Sequence, residues 1–298
     1  MAPARTPKKM LIYFSCDKPN VGDELNTWLW PRISPACLTL DDSVEFFGIG
    51  SILTETWLSR TRKPKIIFGS GKRDATPIDK GVLASCEIRF VRGPLTAHGL
   101  GLPASAAITD PAALMPLHYR PKMVDRTHGR IGFVPHFTMP ESQAQSIATA
   151  LDLFLIQPKL RVEEFIDSLL SCTAVVAEAM HAAILADSYR IPWMGCSFAS
   201  LLSEGSTNAF KWNDWMQSMA IQTARSKAMW LPVDNLHPRI GRFLNTTMTR
   251  PYIAALRRQL SEGRWALSTD QKLNGKQDQL SEQVEGMTIS LRHWNSFS

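Results

Sequence analysis

A glutamate and a histidine, three residues apart, form the pair in this sequence that is best suited to acid–base chemistry. Glu178 and His181 follow Thr173–Ala177, a short apolar run whose β-branched residues predict a buried strand. The alanine-rich stretch that begins at Glu178 predicts a helix ending near Tyr189. We therefore expect both side chains in the first helical turn and on one face. Histidine can transfer protons near neutral pH, and the N–H groups of a helix start favour an anion.

The local sequence leaves a purely structural role for His181 open, because a histidine near a helix start is often a capping or core residue. Its place at the carboxyl end of a predicted strand favours a ligand site, since open α/β sheets bind ligands there. Ala182 and Ala183 follow directly and are small enough for a ligand to approach the backbone.

Other predicted strands also end in glycine, serine or charged residues. The strands are predicted over Val44–Ile49, Lys65–Phe68 and Ile88–Val91, and they end in GIGS, GSG and RGP. Nearer the amino terminus, Gly22 permits a tight turn and Asp23 is a suitable N-cap for the next helix. This repeated placement predicts a crevice lined by strand-end loops. The dinucleotide-binding spacing GxGxxG is absent from these loops.

The order of these elements predicts an α/β protein with two domains facing a cleft. A polar segment over Leu117–Arg130 reads as the linker. We assign residues 1–122 to a first Rossmann-like domain on the acceptor side and residues 123–235 to a second one that carries His181. Residues 236–262 are expected to form a helix that packs back on the first domain. Residues 263–298 are polar and are expected to form a loosely ordered tail.

Composition limits the classes of function that the chain can have. Of its 298 residues, 44% are hydrophobic and 20% charged, which is typical of a globular protein. Five scattered cysteines with no CxxC pair indicate reduced thiols, no zinc site and a cytoplasmic location. We find no signal peptide and no apolar run long enough to span a membrane. The net charge of +6 fits small anionic substrates, anionic lipid or nucleic acid, with nucleic acid the least favoured.

The motifs, taken in order, resemble those of the polysaccharide pyruvyl transferase family, and most of all the branch that pyruvylates exopolysaccharides such as succinoglycan and xanthan. They run from about Asn20 to Gly195: NVGDELN, GIGS, FGSGK, VRGPLTA, TDPAAL, GFVPHF and AEAMHAAILADSYRIPW. The resemblance implies a fold like that of the GT-B glycosyltransferases. It also implies phosphoenolpyruvate as donor, a sugar diol on a lipid-linked oligosaccharide as acceptor, and His181 as the key catalytic residue.

One position departs from the family pattern. Many members carry an arginine just before the histidine, in a Ser-x-Arg-x-His pattern, whereas Ala179 and Met180 precede His181 in this chain and Glu178 lies three residues before it. The basic partners of the donor phosphate are therefore not given by this motif.

On this resemblance, we assign roles to the residues of the strand-end loops. His181 is expected to be the general acid/base and Glu178 its orienting partner or an acceptor for a hydroxyl. The donor is expected to contact Arg92, His136, Ser70 and Gly71, with Arg92 as the anion clamp. The acceptor is expected to contact Gly22, Asp23, Asn26, Ser51 and Asp110. The chemistry requires neither a metal nor a cofactor beyond the donor itself.

A lipid-linked acceptor further suggests peripheral contact with anionic membrane. The last third of the chain holds arginines near aromatic residues, although such a stretch can equally pack on the protein itself. Two other functions stay open. One is a nucleotide-sugar glycosyltransferase on the same fold, and the other is a sugar-binding or assembly subunit without enzymatic activity. The glycosyltransferase would need a base and ribose pocket, and the Glu178–His181 pair argues against the non-enzymatic subunit.

Overall fold

The computed structural model describes residues 11–15, 20–35, 44–121, 129–198, 205–222, 226–227 and 238–295. Strands and helices alternate along this chain, which confirms the α/β class. The strands form two separate sheets, and each neighbouring pair within them is parallel. The boundary predicted at residue 122 falls outside the described residues, between the two sheets.

The first sheet has the strand order β1-β2-β3-β4. Its strands and the helices around them are β1 (Leu11–Ile12), α1 (Val21–Ile33), β2 (Glu45–Phe47), α2 (Glu55–Leu58), β3 (Lys65–Phe68), α3 (Lys80–Leu83), β4 (Cys86–Phe90), α4 (Pro94–Gly99) and α5 (Met115–His118). Two 3-10 turns, Ala104–Ala106 and Pro111–Leu114, precede α5.

The second sheet has the strand order β6-β5-β7-β8-β9. Its elements are β5 (Ile131–Val134), α6 (Glu141–Leu151), β6 (Phe154–Leu155), α7 (Val162–Leu170), β7 (Ala174–Ala177), α8 (Met180–Ser188), β8 (Trp193–Ser197), α9 (Gly205–Ser218) and β9 (Ser226–Lys227). Two long helices follow, α10 (Pro238–Ser261) and α11 (Asp270–Asn295).

Central strands are apolar because both faces of a parallel sheet are covered. Each residue of β3 and of β7 is buried, and all of them are apolar except Lys65 at the start of β3, which pairs with Glu45. In the first half, the Trp30 ring packs edge-on against Phe46 and Phe68, with ring centroids 5.1 and 5.5 Å apart. Such aromatic contacts hold α1 on the sheet, and α1 begins at the site described below.

The two halves meet through the loops at the carboxyl ends of their strands. The Val21 N–H, at the start of α1, donates to the Pro158 carbonyl after β6 at 2.8 Å. Helix α8 packs on the 3-10 turn Pro111–Leu114 of the first half. These contacts bring the strand ends of both sheets to one place.

Helix α10 does not pack as the sequence predicted. It contacts α6, and its buried residues Tyr252 and Leu256 share an apolar cluster with Phe133 and Met194 of the second sheet. The prediction that residues 236–262 return to the first half is therefore wrong. The aromatic contact of Tyr252 with Phe198, at 4.8 Å between ring centroids, fixes the helix on the second half.

The predicted loose tail is instead helix α11, which makes the contact expected of α10. Buried Leu273, Gln277, Leu280, Val284 and Met287 repeat at intervals of four and three and form one helical face. The helix packs on the Pro111–Leu114 turn, where Gln277 donates to the Ala113 carbonyl at 2.8 Å. The low aliphatic content of the segment concealed this narrow stripe. None of the described helices is long and apolar enough to cross a membrane.

Candidate active site

A cleft of about 170 Å³ lies where the strand-end loops of the two halves meet, and we call it the inter-sheet cleft. It is lined by Phe14, Asn20, Val21, Gly22, Asp23, Gly50, Ser51, Ile52, Trp57, Arg73, His136, Phe137, Pro158, Ala179, Met180, His181 and Lys211. Five of the predicted site residues are among them: Gly22, Asp23, Ser51, His136 and His181. The other six predicted residues lie behind this surface.

His181 is held against a buried carboxylate. Helix α8 begins at Met180, so His181 is its second residue, and its side chain is 13% exposed. Its Nε2 lies 3.5 Å from Asp110 Oδ2, and neither atom has a hydrogen-bond partner elsewhere in the described residues. The other Asp110 oxygen accepts from the Ala112 N–H at 3.0 Å, which anchors the carboxylate on its turn. Asp110, predicted to bind the acceptor, is the residue that faces His181 Nε2.

Asp110 determines which imidazole nitrogen faces the cleft. A carboxylate favours a proton on the nitrogen that it faces, here Nε2. Nδ1 is then left on the side of Gly22, a residue that lines the cleft. A Cβ at Gly22 would lie only 2.1 Å from His181 Nδ1, so glycine is required for this close approach. The Gly22 motif and the His181 motif thus fit together as two parts of one site.

Glu178 lies behind the cleft surface and contacts two loops of the second half. It precedes α8 and is only 3% exposed. Its carboxylate accepts from the backbone N–H of His136 at 2.8 Å and from that of Phe198 at 2.6 Å. These contacts direct the Glu178 carboxylate to the loops after β5 and β8, whereas the predicted role was to orient His181 or to accept from a hydroxyl. By holding those loops, Glu178 supports the cleft wall that contains His136.

Asp23 is the carboxylate among the residues that line the cleft. The N-cap of α1 is Asn20 rather than Asp23, and Asn20 Oδ1 accepts from the Asp23 N–H at 3.3 Å. The Asn20 amide also donates to Asp23 Oδ2. Burial raises the pKa of the Asp23 carboxyl from 3.8 to about 6, despite the opposing effects of His181, Asn20 and Lys211. Asp23 therefore exchanges a proton in the range where enzymes commonly work.

Arg92, predicted to be the anion clamp, lies behind the cleft surface, where its side chain is fully buried and each of its three nitrogens donates to a protein acceptor. Its Nε donates to Asp214 Oδ2 at 3.1 Å, and its Nη1 donates to Ser51 Oγ at 2.6 Å. Its Nη2 donates to the Lys72 carbonyl at 3.1 Å. A Cβ at Gly71 would lie 2.2 Å from the guanidinium carbon, so Gly71 makes room for Arg92 rather than for a donor.

Ser70 and Asn26 also hold the cleft floor from behind. The Ser70 hydroxyl donates to the Gly48 carbonyl. The Asn26 side chain accepts from the Ile49 N–H at 2.8 Å and donates to the Ile49 carbonyl at 2.9 Å. Both residues are fully buried, so their polar groups fix the GIGS loop instead of meeting a substrate.

Two cations that the sequence analysis missed line the cleft, namely Arg73 and Lys211. Arg73 directly follows the FGSGK motif, so its position could have been noticed. Lys211 is on α9 and has no motif of its own. Its placement depends on Asp214, one helical turn later, which also accepts from Thr96 Oγ1 at 2.6 Å. The bonds of Asp214 to Arg92 and Thr96 fix α9 so that Lys211 reaches the cleft.

The opposite rim of the cleft is aromatic. Phe14, from the loop after β1, and Phe137, from the loop after β5, have ring centroids 6.4 Å apart. Phe14 is 36% exposed. The His136 ring packs on Phe137 at 4.6 Å, and its Nδ1 lies 2.7 Å from Thr138 Oγ1. His136 thus stands at the rim, where a hydroxyl or an anion of a substrate can reach it.

Within the described residues, no cluster of three or more His, Cys, Asp or Glu side chains could hold a metal ion. The described cysteines, Cys86, Cys172 and Cys196, form no disulfide with one another. Cys16 and Cys37 lie outside the described residues.

Comparison with known proteins gives two matches. The sequence model of the polysaccharide pyruvyl transferase family matches residues 50–200, about half of the chain. The chain is also 32% identical over 210 residues to the succinoglycan biosynthesis protein ExoV of Rhizobium meliloti (strain 1021). That alignment covers 70% of this chain and 64% of the relative. No solved structure shows a significant match. The family match includes Asp110 and His181 but begins after Gly22 and Asp23.

Proposed function

Because the chain belongs to the polysaccharide pyruvyl transferase family, we propose that it transfers a pyruvyl group from phosphoenolpyruvate to a sugar of an exopolysaccharide repeat unit. The product is a cyclic ketal that joins the pyruvyl C2 to two sugar oxygens, with release of phosphate. The observation that carries the proposal is the Asp110–His181 pair at the edge of a cleft that also presents Arg73 and Lys211.

The donor carries a carboxylate and a phosphate on one small enol, so its site must supply cations or N–H groups. Arg73 and Lys211 meet this need, and they compensate for the arginine that many family members have in a Ser-x-Arg-x-His pattern, where this chain has Ala179. Lys211 adds positive charge next to Asp23, as its effect on the pKa of that carboxyl indicates. We assign these two cations to the anionic groups of phosphoenolpyruvate.

His181 is suited to accept the proton of an attacking sugar hydroxyl. A proton arriving on the imidazole creates a cation, and the buried Asp110 carboxylate 3.5 Å away stabilises that cation. Since Asp110 is fully buried, water screens this interaction little. The pair therefore lowers the cost of removing a proton from the hydroxyl that forms the new C–O bond.

The aromatic rim is suited to the acceptor. A pyranose presents an apolar face of C–H groups as well as hydroxyls, and Phe14 and Phe137 offer aromatic faces close to His136. The relative's name refers to succinoglycan, an exopolysaccharide, which supports a saccharide as acceptor. We propose a lipid-linked oligosaccharide, which would bring its sugar to the cleft from a membrane surface.

In the decisive experiment, the purified protein is incubated with phosphoenolpyruvate and a pool of lipid-linked oligosaccharides. The masses of the products are then measured by mass spectrometry. We expect a mass gain equal to pyruvic acid minus water, together with release of phosphate. UDP-sugars in place of phosphoenolpyruvate should give no product. Glycosyl transfer from a UDP-sugar would instead favour the glycosyltransferase, and absence of any transfer would favour the non-enzymatic subunit.

The assignment of Arg73 and Lys211 is tested by replacing each with glutamine. The apparent KM for phosphoenolpyruvate should rise about 10-fold or more, as expected when a charged hydrogen bond worth about 1.5–3 kcal/mol is lost. Arg62, an exposed arginine outside the cleft, provides the control Arg62→Gln. A normal KM in both cleft variants would contradict the assignment.

Peripheral membrane contact is a separate part of the proposal. The arginines in the last third of the chain include Arg239 and Arg242, whose side chains lie outside the described residues. Of the others, Arg258 and Arg264 pair with Glu262, and Tyr252 is buried. These pairings reduce the charge available to a lipid surface. Flotation with anionic and neutral liposomes tests the contact, and salt-sensitive binding to anionic liposomes alone would support it.

A further inference from the structure

The inter-sheet cleft holds two proton-exchanging side chains on different halves of the molecule. His181 comes from α8 after the second sheet, and Asp23 comes from α1 after the first. Both line the cleft, and His181 acts electrostatically on the Asp23 carboxyl. A reaction that must both donate a proton to carbon and remove protons from hydroxyls needs two such groups.

The surroundings of the two side chains differ. His181 faces Asp110, a fully buried carboxylate whose Oδ2 lies 3.5 Å from His181 Nε2. Asp23 faces Lys211 and His181 within the cleft, with Glu24 beside it on α1. Asn20 donates to one Asp23 oxygen and fixes the carboxyl at the first turn of α1. Tyr13 is close enough for Asp23 and Glu24 to raise the pKa of its hydroxyl, after the larger effect of burial.

We propose that Asp23 is the second catalytic residue of this site, and that it delivers the proton to C3 of the enol donor while His181 serves the acceptor hydroxyl. This inference rests on the proposed function, and it changes the part expected of Asp23 from acceptor binding to proton transfer. The supporting geometry is that both side chains line one cleft: Asp23 supplies its carboxylate, and His181 supplies an imidazole that faces Asp110.

The proposed steps balance as follows. The π electrons of the donor C2–C3 double bond take the Asp23 proton, so C3 becomes a methyl group and C2 becomes electron-poor. One sugar oxygen bonds to C2 and gives its proton to His181. The C2–O bond to phosphate breaks with its electron pair on phosphate, which takes the proton from His181. The second sugar oxygen then bonds to C2, and its proton restores Asp23.

The raised pKa of the Asp23 carboxyl agrees with its proposed role as the proton donor. Its pKa near 6 keeps a fraction of the carboxyl protonated around neutral pH, whereas an ordinary aspartate would be almost fully ionised. An acid must be protonated to act, so the wild-type rate should fall as the pH rises through about 6. The ionised form made by the first step sits near Lys211, which stabilises it.

The test compares Asp23→Asn and Asp23→Glu with wild type in kcat and in the pH profile of kcat/KM. Asn can accept the Asn20 hydrogen bond but cannot give a proton, so kcat should fall about 10²- to 10⁴-fold. Phosphoenolpyruvate should still raise the melting temperature of this variant, since its donor cations are intact. The residual rate should no longer fall through pH 6. Asp23→Glu restores a carboxyl and should recover part of the rate and of the pH dependence.

Glu164→Gln is the matched control, since Glu164 is an exposed acid in the first turn of α7, outside the cleft. It should leave rate and pH profile unchanged. An Asp23→Asn variant within about 10-fold of wild-type kcat, or one that keeps the wild-type pH profile, would overturn the inference. If Asp23→Asn does not fold, the test rests on Asp23→Glu. A folded Asp23→Glu variant with no measurable kcat would then overturn the inference. A wild-type protein that transfers no pyruvyl group would overturn the proposed function itself.

Discussion

Two groups of charged side chains join the halves of this molecule, and they differ in how completely their polar atoms are paired. In the first, Arg92 and Asp214 are fully buried and paired. Arg92 also donates to Ser51 and to the Lys72 carbonyl, and Asp214 also accepts from the N–H and the hydroxyl of Thr96. In the second, His181 and Asp110 face each other at 3.5 Å with no other partner for the facing atoms among the described residues. Asp23, in the same cleft, has a raised pKa.

The difference separates a structural role from a catalytic one. Groups whose hydrogen bonds are complete hold one geometry and cannot exchange protons or ligands without losing them. Groups left with unused capacity in a cleft can take a substrate atom as the missing partner. By this criterion we propose a structural role for Arg92, predicted to bind the donor, and an acid–base role beside His181 for Asp110, predicted to bind the acceptor.

The largest effect is expected at His181. His181→Gln keeps the size and a hydrogen-bonding group but cannot shuttle a proton, so kcat should fall about 10²- to 10⁴-fold. His98→Gln, at an exposed position on α4, is the control. The measurement is kcat with phosphoenolpyruvate, with circular dichroism to confirm folding. A folded His181→Gln variant with more than about a tenth of the wild-type rate would make His181 a binding residue.

For the Arg92–Asp214 pair, the expected effect is a loss of stability, measured as the free energy of unfolding. Arg92→Met leaves Asp214 buried without its cation, which typically costs 3–5 kcal/mol in the free energy of unfolding. Lys159→Met breaks the exposed pair with Glu141 and should cost under about 1 kcal/mol. Urea unfolding measures both. A loss of activity without loss of stability in Arg92→Met would return Arg92 to the donor site and remove the contrast drawn above.

Asp110→Asn tests the link between the two residues of the acid–base pair. The amide can face Nε2, but it cannot stabilise the imidazolium, so kcat should fall on the order of 100-fold with little change in KM. The free energy of unfolding should change much less than in Arg92→Met. A rise in the KM for the acceptor with normal kcat would support the original expectation that Asp110 binds the acceptor.

The smallest effect is a gain in stability from Asp23→Asn. The folded state raises the pKa of Asp23 from 3.8 to about 6, so folding binds protons between these values and the wild type loses stability as the pH rises through that window. Asparagine removes this penalty, and at pH 7.5 the variant should be more stable by about 1–3 kcal/mol. The gain should vanish near pH 3.5. Melting curves at both pH values measure it, and an equal change at both would contradict the raised pKa.

Local sequence patterns sufficed to predict most of the strands and helices. The strands over Lys65–Phe68 and Ile131–Val134 have the predicted bounds, because a buried parallel strand needs an unbroken apolar run. The heptad-like stripe of α11 was also in the sequence, but its polar neighbours diluted it. His181, Gly22 and Asp23 were recognisable as cleft residues because helix starts after strands have a fixed place in α/β sheets.

Only the tertiary structure decided which polar side chains and backbone groups pair with one another. Asp110 and His181 are 71 residues apart, and nothing in either motif states which loop amide or side chain each will meet. Glu178 is three residues from His181, yet its carboxylate turns to the N–H groups of His136 and Phe198 because those buried donors need an acceptor. Lys211 reaches the cleft only because the Arg92–Asp214 bond fixes α9. Secondary structure follows from short-range periodicity, whereas the pairing of polar groups depends on which distant segments the folded core brings together.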